Sequence, residues 1–345
     1  MSDGGTNNQN HKQLSDIPFS VLDLAPVVEG GKAADSFRNS RDLAQHAEKW
    51  GFNRFWLAEH HNMEGIASSA TSVVIGYVAE GTSKIRVGSG GIMLPNHAPL
   101  VIAEQFGTLE SMYPGRIDLG LGRAPGSDQA TARALRRDLG TNGQEFPQLL
   151  EELREFLSPS TSAPRRVRAV PGEGLSIPIW LLGSSGFSAR LAGQLGLPFS
   201  FASHFSPEYL LPALDLYRSS FQPSEVLDKP YAMAAVNIAA ADTDEQGRYL
   251  ATSMEQQFLN LIRGKTGRLK PPVDNMDELW NEHEKYAVYQ QLKYTFAGSK
   301  DTVKQKLQTF LDDTEADEIM VTSQIFDHQA RLRSYEIVGE IARGE

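Results

Sequence analysis

The sequence predicts a single (β/α)8 barrel, on three observations. Eight short apolar runs alternate with eight amphipathic stretches between residues 17 and 343, the pattern of strands feeding crossover helices. The apolar runs end in glycines or in polar and charged residues, as barrel strands do where they open onto a site. No internal repeat divides the 345 residues, and α/β barrels commonly exceed the usual length per domain.

The first strand is read in Ile17–Leu24, an apolar run between prolines. Over 33–50, Phe37, Ala44, Ala47 and Trp50 share a helical face, and Gly51 stands where a helix C-cap glycine belongs. Phe52–Ala58 is the second strand and ends in Glu59, His60, His61 and Asn62. A helix over 69–82 leads to the third strand, Ile85–Gly91, whose end, Gly88-Ser89-Gly90-Gly91, has almost no side chain. Pro99 suits the first turn of the next helix, with Ile102, Phe106, Leu109 and Tyr113 on one face. Arg116–Leu121 is the fourth strand and ends at Gly122 and Arg123.

Residues 124–142 have weak periodicity and read as an excursion at that strand end; a helix over 145–157 and a loop over 158–177 follow. The fifth strand, Ile177–Leu182, runs into Gly183-Ser184-Ser185 and a helix that Gly196 stops. Leu197–Ala202 is the sixth strand, ending at Ser203 and His204, followed by a helix over 207–221. Tyr231–Ala241 is the seventh, and a helix over 243–262 follows it. The polar segment 263–284, with Pro271-Pro272, is too irregular for a barrel unit and reads as a lid-like insertion or surface loop. Ser299 caps a helix with Val303, Leu307, Phe310 and Leu311 on one face; Glu318–Val321 is a short eighth strand and 328–343 the closing helix. Residues 1–16 are polar and read as a mobile tail before a single domain over 17–345.

Composition narrows the function. A net charge of -10 speaks against nucleic acid or an anionic membrane as partner. The cluster Arg165, Arg166 and Arg168 reads as a solvated loop face. Without cysteine there is no disulfide, thiolate nucleophile or Cys-held metal. The N-terminal segment lacks the apolar core of a signal peptide, and no apolar run is long enough to span a bilayer, so a cytoplasmic location is expected.

By the barrel rule the candidate site residues are His60 and His61, the Ser89–Gly91 backbone, Arg123, Ser184, Ser185 and His204. Adjacent strand residues face opposite ways, so at most one of His60 and His61 enters the barrel mouth. No H-E-x-x-H motif is present and no metal is expected. Ser184, Ser185 and Ser188 at a helix N-terminus suit a phosphate, and Arg123 could grip the same group. A Gly-Ser-Ser turn is equally at home as a plain N-cap, and the glycines of 120–126 miss the G-x-G-x-x-G spacing.

Three segments, WLAEHHN, RVGSGGIMLPNHAPLVIAEQFGTLESMYPGRIDLGLGRAPG and WLLGSSGFSARLAGQLGLP, closely resemble bacterial luciferase-like flavin monooxygenases, nearest to the non-luminescent, single-subunit alkanal monooxygenase-like members. The resemblance implies a TIM barrel that takes reduced FMN from a separate flavin reductase and uses O2 to oxygenate a small organic substrate, an aldehyde being one candidate. It places the catalytic histidine at His60. It puts the flavin ring on Ser89, Gly90 and Gly91, with a non-proline cis peptide at Gly90-Gly91, and the phosphate on Arg123, Ser184, Ser185 and Ser188. It also implies a homodimer through the early helices. The luminescent members' reactive cysteine is replaced by Gly122, which argues against light emission. Two alternatives are hydride transfer with the deazaflavin F420 and a non-catalytic flavin-binding protein.

Overall fold

The computed structural model describes residues 12–124, 128–135, 143–160 and 166–345. Its strands are β1 (Phe19–Asp23), β2 (Arg54–Leu57), β3 (Arg86–Met93), β4 (Ile117–Gly122), β5 (Ile179–Gly183), β6 (Phe199–Phe201), β7 (Ala232–Ala240), β8 (Thr295–Gly298) and β9 (Glu318–Thr322). All pairings are parallel, and the barrel closes through β1 to β7 and then β9, which pairs with both β7 and β1. The expected (β/α)8 architecture is therefore present. Helices α1 (Ala33–Trp50), α2 (Thr71–Glu80), α3 (Pro99–Met112), α4 (Gln129–Leu135), α5 (Phe146–Leu157), α6 (Gly186–Leu195), α7 (Leu210–Ser220), α8 (Asp244–Ile262), α9 (Glu282–Gln291), α10 (Lys300–Thr314) and α11 (His328–Ala342) complete the described elements.

Strand alternation sorts the apolar residues into two cores. On β2, Phe55 and Leu57 join the large core between barrel and helices, while Trp56 meets Leu22, Trp180, Met233 and Met320 inside the barrel. Gly51 and Gly196 end α1 and α6 in left-handed backbone, with φ of 86° and 62°, where a side chain would be strained.

The structure corrects the element list at four places. Residues 12–16, expected in the tail, pack against the barrel: Leu14 is buried and Lys12 Nζ lies 2.9 Å from Asp317. Residues 1–11 and Arg165 lie outside the described residues, as do 125–127 and 136–142 of the expected excursion; the rest of that excursion holds α4. An added strand, β8, pairs with the C-terminal half of β7. Since Asn237 pairs with both Thr295 and Thr322, β8 lies on the edge that β6 leaves early. Finally, the insertion is tied down: Leu269 exchanges backbone hydrogen bonds with Val27 and Glu29 at 2.9 and 2.8 Å, and Glu282 begins α9, which Asn281 caps.

The N-terminal end of the barrel is filled by a polar plug. Arg54 reaches Asp118 on one side and Glu318 on the other, both at 2.9 Å, and its guanidinium stacks 4.7 Å from the Trp180 ring. Arg86 adds a 2.7 Å contact to Asp118, Trp56 Nε1 donates to the same carboxylate at 3.1 Å, and Tyr231 donates to Glu318 at 2.9 Å.

Candidate active site

At the opposite end, the C-terminal strand ends surround a cavity of about 570 Å³. The strand ends supply His60, Gly90 and Gly91, Gly122 and Arg123, Gly183 to Ser185, and His204. A register shift between β3 and β4 at Ser89/Ile92 swells the chain at Gly90-Gly91, whose peptide is cis. Packing also demands glycine at 91, where a Cβ would stand 2.7 Å from the Gly120 carbonyl, while a Cβ at Gly90 would meet the Leu22 Cδ1 methyl at 2.7 Å. Ser89 does not line the cavity; its hydroxyl donates to Gly120 O at 2.8 Å.

The two adjacent histidines part as strand geometry requires. His60 faces the cavity, and its Nδ1 is buried without a partner. Burial pushes its pKa below the ordinary value, against the opposing pull of Glu59. His61 turns to Glu59 at 2.7 Å. His204, also in the cavity wall, has an unpartnered buried Nδ1; burial first, and His60 second, push it down to about 3. Both rings are neutral near pH 7.

Glu59 is the residue whose role the sequence left unexplained. Its carboxylate accepts from the Met93 backbone N–H at 2.9 Å and faces His61 Nε2 at 2.7 Å and His97 Nε2 at 2.9 Å, joining the ends of β2 and β3. Burial opposes its ionisation, but the hydrogen bonds from His97, His61 and Met93 prevail and hold its pKa below the usual carboxylate value. Three potential ligand atoms of Glu59, His61 and His97 lie within 4.8 Å of one another. These atoms are already joined as a carboxylate accepting from imidazole nitrogens, an arrangement complete without an ion.

At the other side of the cavity, Arg123 lies over the Phe187 ring at 4.4 Å and has no carboxylate partner among the described residues. Ser184, Ser185 and Ser188 sit at the start of α6, and Ser185 is its N-cap without a capping side-chain bond. A cation, hydroxyls and helix N-terminal amides thus converge with no acidic partner among the described residues. That donor set fits a phosphate, and bare glycine backbone leads from it toward His60.

The remaining wall comes from parts the sequence did not assign to the site. Met93 and Phe205 line the cavity beside His204, while Gln257, Phe258, Leu261 and Ile262 enter from the last turns of α8. Of the 263–284 insertion, Leu269 reaches it. Asn237 fixes the His204 segment by donating to its backbone carbonyl at 2.5 Å. Only a tertiary contact reveals that role.

The barrel and this cavity define the class: the chain belongs to the luciferase-like monooxygenase family, whose model matches residues 17–318, and is thereby an enzyme of the flavin-dependent monooxygenase type. It is 58% identical over 325 residues to the luciferase-like monooxygenase of Escherichia coli K12, covering 94% of this chain and 97% of that one. It is 33% identical to the N-acetyl-S-alkylcysteine monooxygenase of Bacillus subtilis, covering 94% and 98%. The crystal structure of apo-MsnO8 superposes with a TM-score of 0.84 at 34% identity, covering 94% of this chain and 98% of that one. No helix among the described residues is long and apolar enough to cross a membrane.

Proposed function

We propose that this protein binds reduced FMN, supplied by a separate flavin reductase, and uses O2 to oxygenate a small organic substrate. The observation that carries this reading is the donor cluster of Arg123, Ser184, Ser185 and Ser188, without a carboxylate partner among the described residues, lining the same cavity as His60. Reduced flavin supplies the activation of O2; the chain's own groups bind, orient and move a proton. Arg123 and the α6 N-terminus hold the phosphate. Gly90 and Gly91 offer flat backbone to the ring, with Ser89 behind them bracing β3 on Gly120 O. His60, neutral and facing the cavity, serves as general base or hydrogen-bond donor beside the ring. Glu59 keeps that strand end in place.

The same reading includes a homodimer through α2 and α3. Their outer faces expose Val73 (71%), Met112 (53%) and Val101 (42%), apolar area that a second copy would cover.

Anaerobic titration with FMNH2 and with reduced F420 tests the cofactor. Saturation by FMNH2 is expected; binding of F420 alone overturns the reading. For His60→Ala, FMN affinity is expected to hold while turnover falls by about 10²–10⁴-fold, read as substrate-dependent oxygen uptake in a reductase-coupled screen. Normal turnover would place the acid–base group elsewhere.

A further inference from the structure

Arg123 is oriented by contacts that do not neutralise it. Its alkyl stem packs on Gly143, where an added Cβ would stand 3.2 Å from Arg123 Cγ and where a φ of 80° is in any case strained for a side chain. Its guanidinium lies 4.4 Å from the centre of the Phe187 ring, the closest cation–ring contact among the described residues. Arg54 and Arg331 also meet rings, Trp180 at 4.7 Å and Tyr335 at 5.8 Å, but each is paired with a buried carboxylate as well. Arg123 has no carboxylate partner among the described residues.

Phe187 is the second residue of α6, directly before Ser188, which lines the cavity. Leu191 and Leu195, further along the same helix, pack on the barrel core, whereas Phe187 is 39% exposed and stands outside the cavity wall. The first turn of α6 thus carries both the donors at its N-terminus and the ring that steadies Arg123. A ring attracts a guanidinium without cancelling its charge, while a carboxylate in the same place would neutralise it and compete with an anionic ligand. An arginine meant for a phosphate is therefore better held by a ring than by an acid.

We propose that Phe187 is a positioning residue for the cofactor phosphate: it acts through Arg123, holding the guanidinium beside the start of α6, and so sets how strongly the site prefers a phosphorylated flavin to the same ring system without its phosphate. This rests on the reading that FMN occupies the cavity with its phosphate at Arg123. Phe187 itself stays outside the cavity wall and makes no contact of its own with the cofactor.

FMN and riboflavin, which lacks the phosphate, are titrated into wild type, Phe187→Leu, Phe187→Tyr, Arg123→Ala and the variant carrying both Phe187→Leu and Arg123→Ala, with flavin fluorescence as the readout. Phe187→Leu is expected to weaken FMN about three- to tenfold, the scale of one lost cation–π contact, and to leave the weaker binding of riboflavin unchanged. Phe187→Tyr keeps the ring and should stay within about twofold of wild type. In the Arg123→Ala background Phe187→Leu should have no further effect, because the group it positions is gone. Unchanged FMN affinity in Phe187→Leu, equal weakening of FMN and riboflavin, or an undiminished effect of Phe187→Leu without Arg123 overturns the proposal. If wild type does not bind FMN, the flavin reading falls and inorganic phosphate decides the rest, read as the shift in unfolding midpoint at matched ionic strength. A larger shift in wild type than in Phe187→Leu keeps Phe187 as the residue that positions Arg123 for a phosphate; an equal or absent shift overturns that too.

Discussion

The two ends of this barrel use the same residue types to opposite effect. At the N-terminal end every charged group of the plug is answered: Arg54 by two carboxylates, Asp118 by Arg54, Arg86 and Trp56, and Glu318 by Arg54 and Tyr231. At the C-terminal end, His60 and His204 each keep a buried ring nitrogen unpaired, and Arg123 has no acidic partner among the described residues. Unpaired buried polar atoms cost stability, so a chain that satisfies one end and leaves the other open is holding binding capacity in reserve. The difference separates what folds the barrel from what the barrel binds, and substitutions at the two ends should fall into different assays.

The largest effect is expected at the plug. Asp118→Ala leaves Arg54 with Glu318 alone and Arg86 with backbone carbonyls, in a site where Asp118 itself is fully buried. Removing one partner of a buried ion network costs about 3–5 kcal/mol. Urea unfolding should show that loss, while the fraction that remains folded should bind FMN with unchanged affinity. A loss of FMN affinity without a loss of stability would erase the division between the two ends.

Arg123→Ala is the complementary experiment. Its guanidinium touches the Phe187 ring and no acid among the described residues, so the fold loses little when it is removed. A charge-assisted hydrogen bond is worth about 1.5–3 kcal/mol, and FMN affinity should fall by roughly ten- to a hundredfold. Equilibrium titration against the oxidised cofactor gives the number. Unchanged affinity would count against the phosphate assignment.

Much of this contrast was legible in the sequence, because it depends on local pattern. Strand alternation separates His60 from His61, and the structure sends one to the cavity and the other to Glu59. The glycines at 51 and 196 end helices where their positions predict. What escaped depends on distant partners. Arg54 reads as a lone charge in an apolar run, yet its carboxylates lie 64 and 264 residues away. The strand Thr295–Gly298 has four residues and is defined by its edge of β7, so its own composition does not announce it. The α8 turn bearing Phe258 and Leu261 is amphipathic on local pattern, and only the closure of the barrel tells which apolar residues face helices and which face the cavity.

The smallest predicted effect is the acid sensitivity of the open end. His204 titrates near 3 in the folded protein against an ordinary 6.5, because burial penalises its charged form. The sign follows from proton counting. Above pH 6.5 both the folded and the unfolded chain hold a neutral ring, and His204 contributes no pH dependence. Between pH 6.5 and about 3 the unfolded chain binds a proton that the folded chain does not, so stability falls as pH drops. The slope approaches 1.4 kcal/mol per pH unit, which gives a loss of about 2 kcal/mol by pH 5. His60, lowered by the same cause, acts in the same direction. In His204→Phe the His204 contribution disappears, so wild type should lose stability relative to the variant as pH is lowered from 7 to 5. Urea midpoints at each pH measure this difference, and a gap that does not change with pH would mean that the His204 ring finds a partner for its proton.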